Sequence, residues 1–195
     1  MAKILAALSL LLSLATSNLL GIPTVPFVED GGRLNISNIR RIIVDAGHCE
    51  STDTTGHTLI PPTLLEFANT FASDLETTGC RTEVVAGDHA EVGSIFLTIG
   101  NSSEFADAAG RWTAEAYDLK VTGDRIIITG ASPLGAWWAT RSVFQQQALN
   151  GTLATGHGID APAWGTRGIM VRFALSHTRS HRNDIIPTIA SMGIC

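Results

Sequence analysis

Long apolar runs are scarce in this chain of 195 residues. The longest, Ile4 to Ala15 (ILAALSLLLSLA), is too short to span a bilayer, which takes about 20 residues. Strong net charge is lacking too. Thirteen Lys and Arg against 18 Asp and Glu give −5, and no basic cluster exceeds Arg40-Arg41. That excludes the basic footprint of a nucleic-acid binder. Cysteine is sparse, and Cys49, Cys80 and Cys195 lie too far apart for zinc-ligand spacing. Phosphate-binding signatures are missing: TGASPLGAWW (129–138) has two glycines but neither G-x-G-x-x-G spacing nor a phosphate-loop lysine. No cofactor is expected.

Six histidines invite a metal reading. His177 and His181 have the i, i+4 spacing of two ligands on one helical face. No glutamate follows His177 as in HExxH, and Thr178, Arg179 and Ser180 supply no third ligand, so a solvated polar segment is expected. Asp45, His48 and Cys49 carry the residue types of a nucleophile site. Nothing beside them reads as an oxyanion loop, so no catalytic role is assigned there.

What is present begins with a targeting segment. Lys3 gives a positive start, Ile4 to Ala15 an apolar middle, and Ala15-Thr16-Ser17 small residues at a cleavage site. Residues 1–17 therefore read as a signal peptide of a secreted, extracellular protein with no membrane segment after cleavage. In an oxidising compartment Cys49 and Cys80 are disulfide candidates. Their loop of about 30 residues would contribute roughly 3 kcal/mol. Cys195 is left over, which suggests an intermolecular bridge or a missing partner. Asn35, Asn101 and Asn150 head Asn-x-Ser/Thr sequons, the expected glycosylation sites.

Residues 18–33 lack periodicity and read as a leader arm. RIIVD (41–45) is β-branched and reads as the first strand. Thr63-x-x-Glu66 makes a capping box after Pro62, and Leu64, Leu65, Phe67, Ala68, Phe71, Ala72 and Leu75 recur at helical spacing up to Gly79. CRTEVV (80–85) alternates like a strand, and SIFLTIG (94–100) reads as a central strand buried on both faces. AYDLKV and RIIITG flank Thr122-Gly123-Asp124 as a hairpin. Ser132-Pro133 offers an N-cap and a proline at N1. The helix that follows, ended by Asn150-Gly151, is expected to carry Leu134, Trp137, Trp138, Phe144 and Ala148 mostly on one side. The Trp pair is expected in the core. The order predicts an α/β fold: a mixed sheet with two packing helices over 34–150. Residues 151–163 read as a linker by composition.

The stretch EAYDLKVTGDRIIITGASPLGAWWATRSVFQQ (115–146) resembles the non-catalytic N-terminal domain of family 20 β-N-acetylhexosaminidases. APAW followed by TRGIM (161–170) is similar to the entry into that family's (β/α)₈ barrel. The resemblance is fairly specific over 95–170 and weaker over 40–91. Related N-terminal domains precede α-glucuronidases and α-N-acetylglucosaminidases, which are the alternative source.

The resemblance implies that 164–195 starts a truncated barrel, and that Arg167 hydrogen-bonds the hydroxyls of a terminal sugar. A planar fork of donors suits vicinal hydroxyls. Where the family has M-L-D-x-A-R, this chain has Met170-Val171-Arg172-Phe173-Ala174-Leu175, which alters the charges that normally organise that strand. These departures imply a reading-frame or splice change, a degenerate copy or an incomplete sequence. Family chemistry is substrate-assisted, with an Asp-Glu pair far along a barrel of about 250 residues. The last glutamate here is Glu115, and the only carboxylate side chain after Arg167 is Asp184. No catalytic residue is expected in the chain. The implied ligands of the whole enzyme are N-acetylhexosamine-terminated glycans or chitin oligosaccharides. The alternative is a stand-alone, non-catalytic secreted domain that binds glycans or a partner enzyme.

Overall fold

Ile42, Ile43 and Val44 restrict their own χ1 angles and fill both sides of a pleat, and all three are buried. They form β2 (Arg41–Asp45), which pairs in parallel with β3 (Glu83–Gly87) on one side and β4 (Ser94–Ile99) on the other. A computed structural model describes residues 27–53 and 60–164, all in the first of two compact units, Met1–Gly165. β4 also pairs in parallel with β6 (Ile126–Gly130). From β6 the sheet turns antiparallel through β5 (Tyr117–Val121), β7 (Leu153–Asp160) and β1 (Val28–Leu34). The strand order is β1-β7-β5-β6-β4-β2-β3. The fold is an α/β layer: a mixed seven-stranded sheet with two helices.

The first helix, α1 (Leu64–Thr77), starts where the capping box predicts. The Thr63 hydroxyl accepts from Glu66 N at 3.1 Å, and Thr63 N donates to the Glu66 carboxylate at 2.8 Å. Leu64, Ala68, Phe71 and Leu75 form its buried stripe. The second helix, α2 (Pro133–Asn150), opens on the Ser132 cap and Pro133, and stops at Gly151 in the left-handed region (φ 69°). Both helices share one core with Ile42, Val44, Ile95, Leu97, Ile126 and Ile128, so both lie on one face of the sheet. Ile43, Phe96 and Ile127 alternate onto the other face.

Three expectations change. Residues 151–163 are not a linker: Leu153–Asp160 is β7, paired with both β5 and β1. The leader arm likewise contributes β1 from Val28. Both strands are glycine-containing and carry no clean alternation, yet backbone pairing holds them. Gly156 lies so close to β1 that a Cβ there would stand 2.2 Å from Val28 O. The third strand begins at Glu83 rather than Cys80, because Cys80 N is spent closing α1 on Leu75 O.

The buried face of α2 also differs from expectation. It is built from small residues, Gly135, Ala136 and Ala139, together with Val143. A Cβ at Gly135 would lie 2.1 Å from Ala116 O, so helix and sheet backbones nearly touch. That proximity sends the large side chains sideways and outward. Trp138 is 40% exposed and Leu149 47%.

Candidate functional site

Ligands of open α/β sheets gather beyond the C-terminal ends of parallel strands. Here that edge carries Asp45, Thr98 and the turn 46–50. Thr98 donates to Asp45 Oδ2, while Gly47 N donates to Asp45 Oδ1 at 3.0 Å and His48 N to Asp45 O at 2.9 Å. Both carboxylate oxygens are thus committed to holding the turn. His48 Nδ1 stands 3.4 Å from Ser51 Oγ, and Cys49 Sγ faces Val44 O at 3.9 Å. Burial, followed by the charges of Glu50 and Asp45, pushes the Cys49 thiol up. A thiol held protonated is a poor nucleophile. Among the described residues, no group of three or more His, Cys, Asp or Glu is arranged to hold a metal ion.

The expected Cys49–Cys80 disulfide is absent, and both thiols are free. The reason is topological. Cys49 O accepts from Leu65 N at the start of α1, whereas Cys80 N donates to Leu75 O at its end. Ten residues of helix, about 15 Å at 1.5 Å each, separate Leu65 from Leu75. A disulfide needs Cα atoms within about 7 Å.

Among the described residues, the carboxyl groups that leave their usual range all move down. Asp30 is lowered by the Thr155 hydroxyl and Gly32 N, Asp107 by Arg111, and Asp124 by Arg125 and Thr122, the last to about 2. Such groups stay ionised near neutrality. A glycosidic acid needs the opposite, a raised pKa.

Two polar clusters tie elements together. Tyr117 donates to Asp160 Oδ2 at 2.9 Å and lies 2.7 Å from Ser142 Oγ, which joins β5, β7 and α2. Burial, and then the Asp160 charge, pushes the Tyr117 hydroxyl up. On the helix-free face, His157 Nε2 meets Asp118 Oδ1 at 2.7 Å, with Lys120 directly opposite His157. Neither cluster sits in a pair of facing carboxylates.

The aromatic residues divide. Trp137 stacks on Phe67 of α1 with centroids 5.0 Å apart, and the Arg141 guanidinium lies 3.7 Å from its centroid. Arg141 also pairs with Asp74 at 2.5 Å, clasping α2 to α1. With Phe67 and Arg141 on its ring, Trp137 offers no open platform to a sugar. Trp138 points outward, contrary to the expected core position. The two helices also differ in their exposed faces. That of α1 is polar (Glu66, Asn69, Thr70, Ser73, Glu76, Thr77), while α2 carries Arg141 as its one charged residue and exposes Trp138, Ala148 and Leu149.

All three sequon asparagines are exposed. Asn35 Oδ1 accepts from Ser37 N at 3.0 Å and Ser37 Oγ at 2.6 Å, and Asn150 is the last residue of α2. Arg167, Cys195, the signal segment and the barrel-like stretch after Trp164 lie outside the described residues. Sequence reasoning missed the Tyr117 cluster and the Arg141 clasp. The i, i+4 spacing of Trp137 and Arg141 was the available signal for the latter.

The family model described as glycosyl hydrolase family 20, domain 2, matches residues 38–158. Among solved structures, the β-N-acetylhexosaminidase of Bacteroides fragilis is 18% identical, with 71% of this chain and 24% of that one covered at a TM-score of 0.45. The family 20 β-N-acetylhexosaminidase of Streptomyces coelicolor gives 15%, 72%, 26% and 0.45. The chitobiase of Flavobacterium johnsoniae gives 15%, 72%, 20% and 0.48. This chain thus spans between 20% and 26% of their lengths. A search of curated proteins finds no match.

Proposed function

The chain belongs to glycosyl hydrolase family 20 through the family's domain 2, and from that premise we propose that it is the accessory domain of a secreted exo-acting β-N-acetylhexosaminidase. The catalytic chemistry belongs to a barrel beyond it, which releases terminal N-acetylhexosamine from glycans or chitin oligosaccharides. Arg167, at the start of that barrel, contacts sugar hydroxyls. The domain itself supplies no proton donor or nucleophile. The one observation that carries the reading is the family match over 38–158. Two further features support it. Among the described residues, the carboxyl groups with perturbed titration are all shifted toward the ionised form. The outer face of α2 is nearly uncharged, as befits a surface covered by protein.

The reading is tested by incubating the chain of 195 residues with a chromogenic N-acetyl-β-glucosaminide. No turnover above the blank is expected; turnover by this chain alone refutes the accessory role. The second reading, a stand-alone secreted domain without catalysis, is favoured by the way β1 and β7 complete the sheet from the domain's own ends. N-glycans at Asn35, Asn101 and Asn150 suit either, since all three side chains face solvent.

A further inference from the structure

The last described segment, Ala161-Pro162-Ala163-Trp164, leaves β7 with Trp164 exposed, and composition alone marks it as a loose tether. Its attachments say otherwise. At the end of β7, Asp160 accepts the Tyr117 proton at 2.9 Å. Tyr117 has one proton to give, so the 2.7 Å contact with Ser142 requires the serine hydroxyl to donate to the phenol oxygen. The cluster therefore runs from α2 through β5 to β7 and ends on a carboxylate, where hydrogen bonds are strongest, with Trp138 O at 3.4 Å as a second acceptor beside Ser142 Oγ. Three residues on, Ala163 O accepts from Ala108 N at 3.2 Å.

Ala108 belongs to a stiff loop. Phe105 anchors it with 1% exposure. Asp107 Oδ1 accepts from Ala109 N and Arg111 N at 2.9 and 3.0 Å, and Arg111 clasps Asp107 Oδ2 through Nε and a terminal nitrogen. Gly110 N closes the turn on Asp107 O at 2.9 Å. We infer that Asp160 to Ala163 is a clamped strut, pinned at one end by the Tyr117–Ser142 cluster and at the other by the Asp107 loop. The segment by which the chain leaves β7 is then part of the domain's own rigid body up to Ala163. The inference holds for either reading of the function, because it concerns only this domain's own exit.

Amide exchange of the full chain tests it. Ala108 is itself exposed, so protection of its N–H reports the docking of Ala163. Gly110 N, bonded within the loop, is the internal reference. The wild-type Ala108 amide is expected to exchange at least about tenfold more slowly than an unprotected amide. Tyr117→Phe removes one hydroxyl and should raise the Ala108-to-Gly110 rate ratio about tenfold. Using the ratio cancels any global loss of stability. Should Tyr117→Phe fail to fold, Asp160→Ala cuts the same tie from the strand side and is read in the same way. Wild-type exchange at the unprotected rate, or an unchanged ratio in the variant that folds, overturns the strut.

Discussion

Gly135→Ala sets two effects of opposite sign against each other. Position 135 is in the first turn of α2, and helix propensity alone favours Ala over Gly by about 1 kcal/mol. The packing argues the other way. A Cβ at Gly135 would lie 2.1 Å from Ala116 O, 3.0 Å from Ala114 O and 3.1 Å from Ala116 C. An ordinary carbon–oxygen approach is about 3.3 Å, so helix and strand must part by roughly 1 Å. The opposing atoms are backbone of the segment entering β5, held by Ala131 N on Ala116 O and by Ser132 Oγ on Ala114 O at 2.8 Å each. They cannot rotate away as a side chain would. Overpacking of this kind costs typically about 1–3 kcal/mol, and here it also strains the Ser132 cap. The net expectation is destabilisation by about 1–2 kcal/mol. Urea unfolding should show a lower midpoint with an unchanged slope. Ser73→Ala, on the exposed face of α1, is the control and should change stability by no more than about 0.5 kcal/mol. A stabilised Gly135→Ala would refute the close approach of α2 to the sheet.

Other consequences follow from the same geometry. Arg141→Ala removes both the stacking on Trp137 and the part-buried pair with Asp74, and should cost about 1–2 kcal/mol. A double-mutant cycle with Asp74→Ala should return less than that sum, because the stacking survives loss of the acid. Asp124 is held down to about 2 by Arg125 and then Thr122, so its folded value lies below its unfolded one near 3.9. Its contribution is present above pH 4 and is lost as pH falls toward 2. Asp124→Asn should lower the stability plateau above pH 4, flatten the acid limb of the stability–pH curve in that window, and leave the slope near neutral pH unchanged. Cys49 and Cys80 should both alkylate on unfolding without reductant, Cys49 the faster in the folded state. Protection of both until reduction would restore the disulfide.

Local chemistry was legible wherever one short segment contained the whole signal. The capping box at Thr63–Glu66, the Ser132-Pro133 start, the Gly151 stop and the apolar run of β2 each needed only a few neighbours in sequence, and each stands where the pattern puts it. Features set by distant partners were not legible. β7 reads as a linker because Gly156 and Gly158 have no side-chain periodicity to display, yet its backbone pairs with two strands. The buried face of α2 is chosen by contact with Ala116, and so favours glycine and alanine over the bulkier residues that pattern suggested. The two cysteines read as partners by number and compartment, but α1 holds them at opposite ends. The Tyr117 cluster joins residues 117, 142 and 160, a combination that only the folded sheet assembles.

The central claim is that this domain accompanies a catalytic barrel. The most direct test is the intact mass of the natively produced, deglycosylated protein, captured through an epitope within 38–158 and assayed on an N-acetylhexosaminide. The account predicts a chain longer than 195 residues by roughly a barrel, about 250 residues, that hydrolyses the substrate. A protein no longer than this chain, with no hydrolysis, would contradict it and leave a stand-alone domain.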